Sequence, residues 1–90
     1  MEFLDSDLAS LSAGAIVTVT LRGTEANVML IEHRNLAKYK SGLGGFQYVG
    51  GHYNQSPVVL AIPHDGHWHA IVDLGGAAGE VRASVEVLPA

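Results

Sequence analysis

Apolar and polar residues alternate with a period of two along most of the chain. From Glu80 to Val87 the alternation is complete, with Val81, Ala83, Val85 and Val87 on one side and Glu80, Arg82, Ser84 and Glu86 on the other. Successive side chains of a strand point to opposite faces, so this pattern predicts a half-buried strand with one wet face. Ile16 to Leu21 reads the same way, with Val17, Val19 and Leu21 inward and Thr18 and Thr20 outward. Ala26 to Ile31 is short, apolar and β-rich, which predicts a more buried strand. Phe46 to Val49 (ending at Gly50-Gly51), Ser56 to Ile62 and Gly66 to Leu74 predict three more. Leu4 to Leu11 fits either an edge strand or a turn of helix.

The connections carry turn chemistry. Pro63-His64-Asp65-Gly66 predicts a hairpin, because proline presets φ, aspartate favours the turn and glycine takes positive φ without a steric cost. Gly75 to Gly79 predicts a second antiparallel return, since a parallel crossover needs a dozen or more residues. One segment reads as helix: Asn35 as its cap, Leu36, Ala37 and Tyr39 as its apolar side, Gly42 as its end, and Arg34 and Lys38 sharing a face. At about two turns it must pack on a sheet to persist. No linker or repeat divides residues 1–90, so the expectation is a single mainly β domain: a small antiparallel β-sandwich, jelly-roll-like, or else a barrel, with one short helix.

Composition narrows the function classes. The 48% apolar content suits a folded globule, and the 16% charged content is low for one. Sparse surface charge favours a partner covering one face, a homodimer among the candidates. The net charge of −4 supplies no global basic surface for nucleic acid, although Arg34, Lys38 and Lys40 form a local group. The absence of cysteine excludes disulfides, thiolate metal sites and cysteine nucleophiles, and leans the expected compartment towards the cytoplasm. Met1 to Asp7 carries acids where a secretory leader needs bases, and the longest aliphatic run, Val58 to Ile62, is far below the roughly 20 residues of a membrane span.

Two clusters could carry chemistry. In His64-Asp65-Gly66-His67-Trp68-His69, strand alternation puts His67 and His69 on the face of Ile71 and Asp73, and sends Trp68, Ala70, Val72 and Leu74 to the core. Two imidazoles at i and i+2, about 7 Å apart at Cα, can hold one metal from a rigid strand. His67-x-His69-x-x-x-Asp73 resembles part of the first cupin motif, with Asp for Glu, but no second motif follows. A third ligand would come from His52, His64 or Glu86. The bland alternative makes His64 a turn residue and leaves His67 and His69 on a wet face; a charge switch is a third reading. The second cluster is Tyr39, Phe46, Tyr48 and Tyr53 among glycines. Gly45-Phe46-Gln47-Tyr48-Val49 partly matches an RNA-recognition motif, in which strand aromatics stack bases. Its alternative is that these rings fill a small core. Neither glycine cluster has the sequence of a phosphate loop, and no serine sits in a nucleophile elbow. Asp73 is expected to bond backbone amides of the glycine loop after it.

Ala26-Asn27-Val28-Met29-Leu30, Asn35 to Gly42, Tyr48-Val49-Gly50-Gly51 and above all Gly66-His67-Trp68-His69-Ala70-Ile71-Val72-Asp73-Leu74-Gly75-Gly76 with Gly79 to Val85 resemble the bacterial family catalogued as domain of unknown function 1883. The resemblance implies a small β-rich bacterial domain, in some relatives joined to a TIR-type signalling domain as an accessory or sensing module. It assigns no catalytic residues. The expected function is therefore a binding or interaction module rather than an enzyme, with no cofactor and with a protein or small-molecule partner. Tyr39, Phe46, Tyr48, His52, Tyr53, His67 and His69 are the candidate ligand-binding residues. Two alternatives stand beside it: a metal site on His67 and His69, and single-stranded nucleic-acid binding through Phe46 and Tyr48.

Overall fold

The computed structural model describes residues 3–42, 44–75 and 79–90. Seven strands run through these residues: β1 (Phe3–Leu11), β2 (Ile16–Gly23), β3 (Ala26–Glu32), β4 (Val49–Tyr53), β5 (Val58–Ala61), β6 (Gly66–Asp73) and β7 (Val81–Leu88). Between β3 and β4 lie a 3-10 turn (His33–Asn35) and one helix, α1 (Leu36–Ser41). The strands form two antiparallel sheets, ordered β1-β6-β3-β4 and β5-β2-β7.

The pairing has a simple origin. β1 pairs with β6, β2 with β5 and β3 with β4, so Leu4 lies opposite Val72, Val17 opposite Leu60 and Val28 opposite Gly51. The first three strands thus run back along the next three as one long hairpin whose tip is α1. That hairpin is wrapped across two layers, which is jelly-roll winding, and β7 then adds to the free side of β2. Among the described residues no strand closes the sheets into a barrel.

The layers meet on the alternating apolar positions. Val17 and Val19 of β2, Val28 and Leu30 of β3, Val58 and Leu60 of β5, and Trp68, Ala70 and Val72 of β6 form the main core. The Trp68 ring is buried, and its indole N–H donates to the His64 carbonyl at 3.1 Å, which satisfies its one polar atom. The four-stranded sheet also buries its outer face. Met29, Ile31 and Ile71 pack under Leu36 and Tyr39 of α1, with Phe3 and Phe46 at the margin. Leu36 and Tyr39 are three residues apart and so meet the sheet on one side of this short helix. Gly42 ends it in the left-handed region, its N–H bonded to the Tyr39 carbonyl.

Several local expectations change. Pro63 to Gly66 does not close a hairpin: β5 and β6 belong to different sheets, so the turn carries the chain from one layer to the other. The connection from β6 to β7 likewise changes sheets, and its residues 76–78 lie outside the described set. The strand expected over Phe46 to Val49 instead begins at Val49 and continues through both glycines to Tyr53. Gly50 permits this, because at φ +128° a Cβ would stand 2.0 Å from the Val28 carbonyl oxygen. The ambiguous N-terminal stretch is edge strand β1, interrupted by a bulge between Asp7 and Ser10 in which Ala9 takes φ 57°. Asn35 stands at the start of α1 but makes no side-chain cap bond, because the 3-10 turn runs directly into the helix.

Candidate metal centre

β6 is the central donor of side chains. It lies between β1 and β3, and its odd-numbered residues His67, His69, Ile71 and Asp73 face outward, away from Trp68. This face is not wet along its length, because α1 and the 3-10 turn cover it. His69 is 4% exposed and Asp73 3%, whereas His67 is half-buried.

His33 joins the pair from the 3-10 turn. Ile31 of β3 lies opposite His69, so a residue two positions further along β3's course falls next to His67. The His33 and His67 rings stack with centroids 4.4 Å apart and planes within 6°, and His69 lies 5.1 Å from His33 and 5.2 Å from His67. One nitrogen from each of the three rings falls within 4.8 Å of the others. His33 Nδ1 and His69 Nε2 are 2.9 Å apart.

Two carboxylates of β1 stand behind the imidazoles. Asp5 Oδ1 is 2.7 Å from His69 Nδ1, and Asp7 Oδ1 is 2.7 Å from His67 Nε2. A carboxylate accepts, so it fixes the proton of each ring on the nitrogen it touches. In the neutral form of each ring, Nε2 of His69 and Nδ1 of His67 carry the lone pair, and the contact between His33 Nδ1 and His69 Nε2 is then a bond donated by His33. The bulge after Asp7 has a role here: the Ala9 N–H, together with His67, holds the Asp7 carboxyl below its ordinary range. The cluster is thus two carboxylate–imidazole pairs plus a third imidazole, the arrangement in which an outer carboxylate orients a ligating histidine and raises its basicity. Tetrahedral coordination at about 2.0–2.1 Å sets ligand nitrogens about 3.3 Å apart. The three rings are stacked, with planes 6–20° apart, so closing on an ion requires the rings to turn their nitrogens towards one point, and His33 is the exposed ring of the three.

The expected third ligands go elsewhere. His64 pairs with Glu32 at 2.8 Å, and this contact, followed by Arg34, holds the Glu32 carboxyl below its usual value. His52 contacts Asn27 at 3.0 Å and lies 3.5 Å from Glu25. Glu86 is on β7, in the opposite sheet. Asp73 does accept from the Gly75 N–H at 2.9 Å, as its position before the glycine loop predicts, but it also accepts from Asn27 Nδ2 at 2.8 Å and from the Tyr39 hydroxyl at 2.5 Å. Burial, and then this bond to a carboxylate, push the Tyr39 hydroxyl above the ordinary phenol range.

The aromatic candidates do not form one surface. Tyr39 is buried, Phe46 meets it in a T-shaped ring contact, and Tyr53 packs against the main core. Tyr48 alone of the four is well exposed, at 51%. The sequence candidates included none of His33, Asp5 and Asp7. Their signal was present: Asp5-x-Asp7 repeats the spacing of His67-x-His69, and His33 directly follows the strand that neighbours them.

The fold and this cluster define a small jelly-roll sandwich domain with a histidine-rich outer face. The chain belongs to the family described as Domain of unknown function (DUF1883), which matches residues 1–90. No curated protein and no solved structure matches it. Among the described residues, no helix is long and apolar enough to cross a membrane.

Proposed function

We propose that this domain is a binding module whose ligand is a divalent transition metal of the zinc or copper type, held by His33, His67 and His69. The observation that carries the reading is that one nitrogen from each of three rings lies within 4.8 Å of the others, with Asp5 and Asp7 bonded to two of the rings. Imidazole is a ligand for such ions, and a buried ring fixed by a carboxylate keeps its lone pair aimed without a further ordering cost. His69 is the anchor, His67 the second ligand, and His33 the ring that closes from solvent. Three protein ligands leave a coordination position for water or a small donor molecule, which suits a sensing or accessory role.

The test is a titration of untagged protein with zinc and with copper against a competing chelator. One equivalent is expected to bind, and His33→Ala is expected to abolish chelator-resistant binding. Asp5→Asn is expected to weaken binding by about 10–100-fold, while His52→Ala and His64→Ala leave it unchanged. His33 is exposed and its loss leaves both cores intact, so a folded His33→Ala protein that binds as tightly as wild type overturns the reading.

A further inference from the structure

The two sheets end in strands of unequal readiness to pair. β1 is broken by its bulge, and β4 and β5 have only five and four residues. β7 is eight residues long, regular, and bonded on one side only, to β2. Proline, bulges and inward-pointing charges are the usual protections of such an edge, and among the described residues of β7 there are none. Its inward residues Val81, Ala83, Val85 and Val87 are only half-buried.

The phase of β7 is known from its neighbours. The Thr24 N–H donates to the Glu80 carbonyl at 3.0 Å, and the Leu21 N–H turns away from β7 to the Ser56 hydroxyl. Even-numbered residues of β7 therefore bond to β2, and Val81, Ala83, Val85 and Val87 direct their N–H and C=O groups to the open edge. An antiparallel partner must bond to these four.

The outer face of the same sheet is electrostatically incomplete. Arg82 lies directly opposite Arg22, and Glu86 opposite Thr18. Like charges in directly opposed positions destabilise a sheet, and among the described residues neither arginine nor Glu86 has an ion-pair partner.

We propose that a second copy of this chain pairs edge to edge and antiparallel on β7, about a two-fold axis at Ser84, joining the two three-stranded sheets into one. In this register Val81 bonds with the partner's Val87 and Ala83 with the partner's Val85, so every outward backbone group of the four is satisfied. Arg82 falls opposite the partner's Glu86, and Glu86 opposite the partner's Arg82. Both are non-hydrogen-bonded positions, where side chains lie closest. The pairing repeats by symmetry, as a two-fold contact requires. Sliding one copy by two residues in one direction opposes Glu80 to Glu86; in the other it leaves Arg82 against Leu88. Charge therefore selects the Ser84-centred register among those the backbone phase allows.

The experiment is sedimentation of the full chain with three variants. Wild type is expected to be a dimer. Arg82→Glu is expected to be a monomer, and the exchanged double variant Arg82→Glu with Glu86→Arg to regain the dimer, a recovery that a merely destabilised fold does not give. Ser84→Cys introduces the chain's sole thiol at the axis and is expected to cross-link fully under mild oxidation, while Thr20→Cys, one strand further in, stays largely reduced. A wild-type protein monomeric up to its solubility limit overturns the proposal. So does a dimer that survives Arg82→Glu, or one in which Ser84→Cys cross-links no faster than Thr20→Cys.

Discussion

Removing the Tyr39 hydroxyl tests the central packing claim, that α1 is fastened to the sheet by a buried carboxylate. Asp73 is 3% exposed and its carboxylate accepts three hydrogen bonds, from Tyr39, Asn27 and the Gly75 amide. Tyr39→Phe removes one donor, keeps the ring between Phe3 and Phe46, and opens almost no cavity. The cost is then that of one hydrogen bond to a buried charge, about 1.5–3 kcal/mol. In a domain of this size that lowers Tm by roughly 6–24 °C. Urea unfolding at neutral pH is the assay: the midpoint should fall with an unchanged slope, since the area exposed on unfolding is the same. A double-mutant cycle with Asp73→Asn should show coupling, because both changes act on one network. The consequence reaches the histidine cluster, because the 3-10 turn that carries His33 is continuous with α1; metal affinity in Tyr39→Phe should fall more than fluctuation of a distant loop would cause. A Tyr39→Phe protein within about 0.5 kcal/mol of wild type, the range of a neutral surface change, refutes the account.

Two glycines separate backbone strain from steric exclusion. Gly42→Ala meets open space at φ +73° and should cost about 1 kcal/mol, whereas Gly50→Ala drives a Cβ into the β3 backbone and should unpair β4, with loss of stability well beyond that figure; equal midpoints for the two variants in urea would contradict this. Trp68→Phe leaves a void in the main core and orphans the His64 carbonyl. It should cost about 2–4 kcal/mol, and an unchanged melting curve would show that the indole is not the centre of that core.

Local pattern was enough for much of this molecule. Val81 to Val87 and Val17 to Leu21 alternate as strands do, and the inward course of Trp68, Ala70 and Val72 followed from the same period. Gly42 marked the end of α1 through its conformational freedom. The turn chemistry at Pro63 to Gly66 correctly marked a reversal, but a turn records only that the chain changes direction. Whether the next strand pairs with the last or crosses to the other layer depends on which distant strand offers its edge.

The histidine site divides along the same line. Alternation alone placed His67 and His69 on one face, because that relation is set within four residues of chain. Whether the face was wet was beyond it: the cover comes from α1, some thirty positions earlier, held down by Leu36 and Tyr39. Asp5, Asp7 and His33 reach the imidazoles only through the registers of β1 and β3 against β6. Period-two chemistry determined which way each side chain points, and the winding of the long hairpin decided what it meets, since register is a property of two strands and is written in neither one alone.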